Sequence, residues 1–170
     1  MTAANVELIE RFYRAFAARD GAGMAACYAP DVTFSDPVFR DLRGAEAGAM
    51  WRMLTGRAQD LDVELIAREA GEEMGSARWR ATYTYSETGR PVVNEVEAAF
   101  AFGGGAISDH IDNFSFHRWS RQALGTPGLL LGWTPLLRSV VRRRAREALD
   151  QFMAAEEDQR PSVTPAVPDV

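Results

Sequence analysis

Hydrophobic positions recur with a helical period along the first third of the chain. Between residues 5 and 19, apolar side chains repeat at steps of three and four, which predicts an amphipathic helix with Asn5 capping its first turn. Asp20 and Gly21 break this helix, because both residue types favour turns. The same reasoning predicts a short helix at 24–28, which Pro30 prevents from continuing. A short strand follows at 32–36 and stops at Pro37, and a third helix is predicted at 45–54.

From residue 61 to residue 116 the period changes to two. Apolar and polar side chains alternate in four runs, which are separated by short turns at 69–73, 86–89 and 103–105. Alternation predicts half-buried strands, and turns of this length predict hairpins, so we expect an antiparallel meander. Helical spacing returns between residues 133 and 152, which predicts a long C-terminal helix.

Helices followed by a continuous meander are typical of an α+β domain. We expect a cone-shaped, curved antiparallel sheet with the helices packed on its concave face, plus an extra C-terminal helix. Such a cone encloses an apolar cavity that suits a small molecule. The predicted single domain spans 1–154, with a helical extension at 118–154, and the proline-rich end, 155–170, is expected to be a disordered tail.

Composition excludes several classes of function. All 19 basic residues are arginine, so Schiff bases, pyridoxal phosphate aldimines and phosphate-binding loops that depend on lysine are excluded. One Cys and two His cannot build a four-ligand zinc site, and we expect neither a metal nor a cofactor. The net charge of -5 disfavours nucleic-acid binding. Glu7 and Glu10 interrupt any secretory signal, so we expect a cytoplasmic protein.

Three segments of the chain resemble a known family: Glu10 to Phe16, Tyr28 to Pro37, and Ile107 to Ser115. The resemblance is to the nuclear transport factor 2-like superfamily, and within it to the branch of ketosteroid isomerase-like and SnoaL-like polyketide cyclase proteins. It covers about residues 5–117 and implies the cone fold, a small apolar ligand and a homodimer. The fold hosts isomerases, dehydratases, cyclases, epoxide hydrolases and plain binding proteins, so it does not by itself specify a reaction.

Asp36 is the first candidate catalytic residue. The resemblance places it where the isomerases carry their general base, and an apolar cavity brings the pKa of a carboxyl group closer to the value that base catalysis at neutral pH needs. Alternatively, Asp36 is a turn residue before Pro37 whose oxygen binds nearby backbone amides. By the same resemblance, the two oxyanion donors of the isomerases fall on Phe12 and Ala98, which cannot stabilise an enolate.

His110 and Asp112 are the other candidate catalytic residues. If Phe114 faces the cavity, as the resemblance implies, alternation along the last strand turns both side chains to the same face, about 7 Å apart. One histidine and two carboxylates suit a dehydration or isomerisation by proton shuttling. Alternatively, His110 is a core residue bonded to a neighbour, and a shift in register by one residue would bring Asp109 and Ile111 inward.

Aromatic side chains are the candidate substrate-binding residues. Those expected to line the cavity are Phe12, Tyr13, Trp51, Trp79, Tyr83, Phe100 and Phe114. Such a lining suits a polycyclic or isoprenoid ligand, although aromatic residues at strand spacing are often core residues.

A leucine run and several arginines follow the meander. Leu129 to Trp133, beside the cations of the last helix, could form an interfacial membrane anchor. The cations lie opposite the apolar stripe, however, as in any solvated amphipathic helix, so we expect no membrane contact. We expect the helix to pack on the open edge of the sheet or on a partner subunit. Glycines at 125 and 128 would let the leucine run fold over the cavity mouth.

Two functions remain open from the sequence. In the first, a cofactor-independent isomerase, dehydratase or cyclase uses Asp36 or Asp112 to abstract a proton from a small apolar carbonyl or hydroxyl compound, and His110 relays that proton or polarises the leaving oxygen. In the second, the cone binds an apolar molecule without chemistry. An epoxide hydrolase-like reaction is a further alternative, but the resemblance places the arginine and second aspartate of those enzymes on Val96 and Ala98.

Overall fold

Six helices and six strands make up residues 2–159, the part of the chain that the structure, a computed structural model, describes. The helices are α1 (Ala3–Ala17), α2 (Gly21–Ala25), α3 (Ala45–Arg57), α4 (Phe116–Leu124), α5 (Thr126–Leu131) and α6 (Pro135–Asp158). The strands are β1 (Tyr28–Ser35), β2 (Leu42–Arg43), β3 (Asp62–Ala70), β4 (Met74–Tyr85), β5 (Arg90–Gly103) and β6 (Ala106–Asn113). None of the described helices is long and apolar enough to cross a membrane.

The strands form one curved, unclosed sheet in the order β2-β1-β6-β5-β4-β3. The predicted meander is confirmed, because β3 to β6 pair in the order of the chain and each of these pairs is antiparallel. Helix α1 packs against β3 and β4, and α3 packs against β1. The α+β class and the extra C-terminal helix are therefore also confirmed.

One strand pair differs from the predicted antiparallel sheet. β1 runs parallel to β6, with Phe34 opposite His110 and Ser35 opposite Ile111. A short hairpin forces neighbouring strands to run antiparallel, whereas β1 is joined to the meander through β2 and α3, a connection long enough to allow either direction. The pairing sets the end of β1, and with it Asp36, beside the inward-facing residues of β6.

Helix α1 buries the apolar stripe that its periodicity predicts. The buried apolar residues are Leu8, Ile9, Phe12, Tyr13 and Phe16. The predicted cap is wrong, because the helix begins at Ala3, after Thr2, and Asn5 lies inside it. The Asn5 side-chain amide donates to the backbone carbonyls of Gly71 at 2.8 Å and Glu72 at 3.0 Å. These acceptors belong to the turn between β3 and β4, so a tertiary contact replaces the local capping bond.

The second helix, Gly21–Ala25, lies three residues earlier in the chain than its pattern predicts. It ends at Ala25, and the chain enters β1 at Tyr28. Pro30 does not end the helix but lies inside β1, where the register against β6 shifts between Tyr28 and Thr33. Because proline has no N–H to donate, it is tolerated at such an irregular point of a sheet.

Three helices follow the meander. α4 packs on β5, α5 packs on α4, and α6 packs on α3, where the Arg52 guanidinium lies 2.7 Å from the Glu156 carboxylate. α6 ends at Asp158, so helical residues continue past the boundary expected at residue 154. Of the expected disordered tail, residues 160–170 lie outside the described residues.

Candidate active site

A cavity of about 300 Å³ lies between the inner face of the sheet and the helices. Its walls are mostly apolar and aromatic. Four of the predicted aromatic residues line it, namely Trp51, Trp79, Tyr83 and Phe114. Asp36 and Asp112 contribute carboxylates to the same wall. The parallel pairing of β1 with β6 thus brings both acids to one cavity.

The other three predicted substrate-binding residues do not line the cavity. Phe12, Tyr13 and Phe100 are buried in the core behind it. The ring centroids of Phe12 and Phe100 lie 5.3 Å and 4.4 Å from that of His110. These aromatic rings enclose the imidazole and keep water from it, and they do not reach a ligand in the cavity.

Asp36 directly follows β1 and is half-buried in the cavity wall. Its Oδ1 atom accepts hydrogen bonds from the backbone N–H groups of Val38 and Phe39, both at 2.6 Å. The Asp36 N–H donates in turn to the Phe39 carbonyl at 2.7 Å. The turn interpretation and the base interpretation are therefore compatible, because the turn engages one carboxylate oxygen and leaves the other for a proton.

Burial raises the pKa of Asp36 to about 7, because the charged carboxylate is poorly solvated in this wall. The hydrogen bonds from Phe39 and Val38 act in the opposite direction and lower the pKa. The nearby charge of Asp112 raises it further, and Arg142 lowers it. A carboxyl group with a pKa of about 7 can both take and return a proton at neutral pH.

A chain of hydrogen bonds runs behind Asp112. The Trp51 indole N–H donates to the Tyr28 hydroxyl oxygen at 2.7 Å, and this hydroxyl lies 2.8 Å from Nδ1 of His110. Across the ring, His110 Nε2 lies 3.0 Å from Asp112 Oδ1. The Trp79 indole N–H also donates to this oxygen, at 3.4 Å. His110 is fully buried, so it reaches the cavity only through Asp112.

The Asp112 carboxylate restricts the tautomer of His110. An ionised carboxylate only accepts hydrogen bonds, so Nε2 of His110 carries the hydrogen that it donates to Asp112 Oδ1. In the neutral imidazole Nδ1 is then the acceptor nitrogen, and the Tyr28 hydroxyl donates to it. The chain therefore fixes the orientation of the Asp112 carboxylate at the cavity wall.

A phenol donor also lines the cavity. The Tyr83 hydroxyl oxygen accepts a hydrogen bond from the Trp119 indole N–H at 3.0 Å, and its own proton has no acceptor among the described residues. Burial raises the pKa of Tyr83, the Trp119 bond lowers it, and the charge of Asp36 raises it, so the phenol stays protonated at neutral pH. Tyr83 thus offers a proton donor that Phe12 and Ala98 cannot supply.

Sequence reasoning misses Tyr28 and Trp119. The pattern assigns Tyr28 to the end of a helix, whereas the structure places it at the start of β1. The one signal that could have found it is its position in the second of the three segments that resemble the family. Trp119 lies in α4, beyond the resemblance, and nothing in its spacing indicates that it supports a cavity residue.

The C-terminal helix closes one side of the cavity. Its lining residues are Leu137, Val140, Val141, Arg144, Ala145 and Ala148. The expectation that the leucine run folds over the cavity mouth is wrong, because the side chains of residues 129–131 are exposed and none of them lines the cavity. Instead α5 packs on α4, where Gly128 lets the two backbones meet: a Cβ at Gly128 would lie 1.8 Å from the Ser120 carbonyl oxygen.

The chemistry that these side chains support is proton transfer. Within residues 2–159, no three side chains of His, Cys, Asp or Glu are grouped so that they could hold a metal ion. The two carboxylates and the phenol can exchange protons with a ligand, and the apolar walls strengthen their electrostatic effect on it.

Comparison with solved structures finds the same fold. A candidate polyketide cyclase from Xanthomonas campestris pv. campestris is 19% identical over 71% of this chain and 96% of its own, with a TM-score of 0.60. An LEH-like epoxide hydrolase from M. tuberculosis is 19% identical over 76% of this chain and 94% of its own, with a TM-score of 0.61. A protein with a ketosteroid isomerase-like fold from Catenulispora acidiphila, in complex with trimethylamine, is 17% identical over 76% of this chain and 98% of its own, with a TM-score of 0.61. At these identities the likeness concerns the fold alone.

Comparison with curated proteins finds no match. The model of the SnoaL-like domain, in contrast, matches residues 9–110, which is more than half of the chain. This match confirms the family resemblance seen in the sequence. The chain belongs to the SnoaL-like domain family of the nuclear transport factor 2-like superfamily.

Proposed function

We propose that this protein is a cofactor-independent acid/base enzyme of the isomerase, dehydratase or cyclase type, acting on a small apolar carbonyl or hydroxyl compound. The observation that carries the proposal is that Asp36 and Asp112 share one apolar cavity but have unlike surroundings. Asp36 is held by backbone N–H groups and has a pKa of about 7, whereas Asp112 is held by His110 and Trp79. Carboxyl groups in unlike environments can take different roles in one reaction.

In this proposal Asp36 is the base. Its unengaged oxygen removes a proton from the carbon next to the substrate carbonyl, and a hydrogen bond from Tyr83 stabilises the charge that develops on the carbonyl oxygen. Return of the proton to another carbon gives isomerisation, and its transfer to a departing hydroxyl group gives dehydration. The proton and the electron pair stay between the substrate and these side chains, so the reaction needs no cofactor.

Asp112 holds the substrate, and His110 acts through Asp112. The free oxygen of Asp112 can accept a hydrogen bond from a substrate hydroxyl group, while the other oxygen is fixed by the His110 Nε2–H. His110 is therefore a positioning residue, and Tyr28 positions it in turn. The negative charge of Asp112 also raises the pKa of Asp36 and makes it a stronger base.

The size and walls of the cavity support a small apolar substrate. A volume of about 300 Å³ is at the lower end of the range for small-molecule pockets. The aromatic walls, which include Trp51 and Trp79, favour flat or ring-shaped apolar groups.

Binding without chemistry is the second candidate function. The resemblance places the two oxyanion donors of the isomerases at Phe12 and Ala98, whose side chains cannot donate a hydrogen bond. This difference favours binding without chemistry. An epoxide hydrolase-like reaction has less support, because Val96 and Ala98 are buried apolar residues where the resemblance places an arginine and an aspartate.

We also propose that the protein is a homodimer. The two subunits would pair through the outer face of the sheet, where Glu95 and Glu97 are exposed. Sedimentation measures the mass in solution and so distinguishes a dimer from a monomer.

Exchange of substrate protons with solvent tests the proposed function before the natural substrate is known. The protein is incubated with a panel of apolar ketones in deuterated water, and incorporation of deuterium next to the carbonyl is followed by NMR. Replacement Asp36→Asn should lower the exchange rate at least about 100-fold, the usual contribution of a general base. Asp109→Asn is the matched control, because Asp109 lies on the same strand as Asp112 but bonds to Thr33. Ketones that bind but exchange no faster than in buffer would establish the binding protein instead.

A further inference from the structure

A group of exposed apolar side chains lies at the corner between α5 and α6. The exposed fractions are 50%, 62%, 47%, 71% and 71% for Leu129, Leu130, Leu131, Trp133 and Leu136. These five residues, here called the corner patch, are half of the large hydrophobic side chains that are exposed within residues 2–159. Contiguous exposed apolar surface of this kind marks a contact with a partner or a membrane.

Close packing holds the corner patch on the surface. A Cβ at Gly128 would lie 1.8 Å from the Ser120 carbonyl oxygen, and one at Gly132 would lie 2.2 Å from the Ser120 Oγ. The backbone of α5 therefore touches α4 directly. Turning the leucines inward would break this contact, so their exposure is a property of the fold.

The polar groups of the corner are paired within it. The Trp133 indole N–H donates to the Leu130 carbonyl at 3.0 Å, and the Thr134 hydroxyl donates to the Leu131 carbonyl at 2.6 Å. An apolar medium penalises unpaired N–H, O–H and C=O groups. The corner patch can therefore enter the interfacial layer of a membrane without leaving these groups unpaired.

Two arginines lie beside the corner patch. Residues 113–146 contain seven arginines and neither Asp nor Glu, but Arg118, Arg143 and Arg146 pair with acidic side chains outside this segment. Arg138 and Arg142 form no ion pair with a described residue, and with Trp133 they line a depression beside the corner patch. Arg138 lies 5.2 Å from the centre of the Phe116 ring, and Arg142 donates to a backbone carbonyl at 2.9 Å, so both guanidinium groups are held in place.

We propose that the corner patch docks on the surface of an anionic phospholipid membrane. The leucines and Trp133 enter the headgroup layer, and Arg138 and Arg142 contact lipid phosphates, to which guanidinium groups bind well. The expectation of no membrane contact considered the amphipathic stripe of the last helix, whereas the exposed leucines 129–131 lie on α5. The proposal stands independently of the proposed function.

A second copy of the chain fits the corner patch less well. In a symmetric dimer the same surface of both subunits meets, so the two sets of arginines would come close to one another. Like charges across an interface oppose association, whereas a surface of lipid phosphates neutralises them. The excess of positive charge therefore favours the anionic membrane.

Vesicle flotation with the full chain tests the proposal. The probes are vesicles of phosphatidylcholine alone and of phosphatidylcholine with about 30% phosphatidylglycerol, which supplies the anionic surface. We expect the protein to float with the anionic vesicles and to bind the neutral ones at least about tenfold more weakly. Trp133 is the exposed one of the four tryptophans, so tryptophan emission should shift to shorter wavelength on binding.

Matched variants identify the surface. Leu130→Ser combined with Trp133→Ser should lower binding to the anionic vesicles at least about tenfold, and Arg138→Gln should lower it as well. Met74→Ser should bind like the wild type, because Met74 is a comparably exposed apolar residue (62%) on β4. The melting temperature checks that each variant is folded.

Three results would overturn the proposal. The first is that the folded wild type does not float with anionic vesicles, and the second is that it binds neutral vesicles equally well. The third is a wild-type dimer that the Leu130→Ser, Trp133→Ser double variant converts to a monomer, since the corner patch would then be covered by a second copy of the chain.

Discussion

The Tyr28 hydroxyl lies 2.8 Å from Nδ1 of His110, although the two residues are 82 positions apart in the chain. The parallel pairing of β1 with β6 makes this contact possible, because it sets the two strands side by side. Through it, Trp51 and Tyr28 are linked to the Asp112 carboxylate in the cavity wall. The orientation of one site carboxylate thus depends on a tyrosine at the start of β1.

Replacement Tyr28→Phe should destabilise the protein by about 1–3 kcal/mol, the cost of leaving a buried acceptor without its donor. Nδ1 of His110 loses the Tyr28 proton, and the Trp51 indole N–H loses its acceptor. Chemical denaturation measures the loss, and nitrogen NMR of the imidazole reports the change at Nδ1. Tyr13→Phe is the control and should cost far less, because the buried Tyr13 hydroxyl has no hydrogen-bond partner within residues 2–159. Equal losses in the two variants would contradict the hydrogen-bond chain.

Replacement Asp36→Asn should raise the melting temperature at pH 8. The folded-state pKa of Asp36, about 7, lies above the ordinary value of 3.8 for an aspartate, so the folded state holds its proton more tightly and stability falls as pH rises between these values. Asparagine keeps the acceptor oxygen and removes this charge penalty. In a domain of this size, each kcal/mol added to the free energy of unfolding raises the melting temperature by about 2–4 °C. The difference between the variant and the wild type should vanish near pH 4, where Asp36 becomes protonated in the unfolded as well as the folded state.

Asp60 provides a control of opposite sign. The side-chain and backbone hydrogen bonds from Thr84 lower the pKa of Asp60, so its contribution to stability is present above its unfolded pKa and is lost as pH falls. Replacement Asp60→Asn should therefore lower the melting temperature at pH 8 and should have less effect in acid. If Asp36→Asn behaves in the same way, Asp36 is a turn residue without the charge penalty described above.

Proton exchange by the wild type should depend on pH with a midpoint of about 7. Asp36 must be deprotonated to act as the base, so the rate should be low in acid, rise through its pKa of about 7 and level off above it. Because the charge of Asp112 raises this pKa, Asp112→Asn should move the midpoint to lower pH. Rate measurements over the pH range with one exchanging ketone check both statements, and a midpoint that Asp112→Asn leaves in place would contradict the coupling.

Replacement Tyr83→Phe should lower the exchange rate about 100-fold, the typical loss of one oxyanion donor, with a small change in ligand affinity. Trp119→Phe should act in the same direction but more weakly, because Trp119 holds the Tyr83 oxygen; since Trp119 also lines the cavity, its replacement should change ligand affinity as well. Tyr85→Phe is the control, since Tyr85 also lines the cavity and has no assigned role. Rates and affinities measured separately show whether Tyr83 acts on the reaction or on binding.

Replacement Ala145→Phe should fill part of the cavity from the side of α6. A larger side chain at this lining position should weaken binding of an apolar aromatic probe such as 2-naphthol at least about tenfold, because the cavity is small. Ala155→Phe, at an exposed position of the same helix, is the control and should bind the probe like the wild type. Fluorescence titration measures both affinities, and unchanged binding by Ala145→Phe would place the ligand elsewhere.

The sequence predicts those features that depend on local periodicity. Alternation along the meander correctly turns His110 and Asp112 inward, since both are buried while Ile111 between them is exposed. The direction of β1 is not encoded in this way, because a strand has the same alternation whether it runs parallel or antiparallel to its neighbour. The same limit explains Asn5, whose partners lie in a distant turn that local pattern does not reveal.

The candidate site is only partly predictable for a related reason. A residue type and a strand face can be deduced from the sequence, but depth in the molecule depends on how the layers pack. Phe100 and Trp79 both alternate inward, yet Phe100 packs on His110 and Trp79 reaches the cavity. The wall that α6 supplies follows from the position of the last helix on α3, which the apolar stripe alone does not determine.

The place of β1 in the sheet also fixes the order in which the molecule can be completed. β1 emerges early during synthesis, but its neighbour β6 is the last strand of the meander to be made, so one edge of β1 stays unpaired until then. Pairing across so long a loop is slow, because chain entropy is lost before any contact compensates for it. The two carboxylates of the cavity, Asp36 and Asp112, are therefore brought together only when β6 has paired with β1.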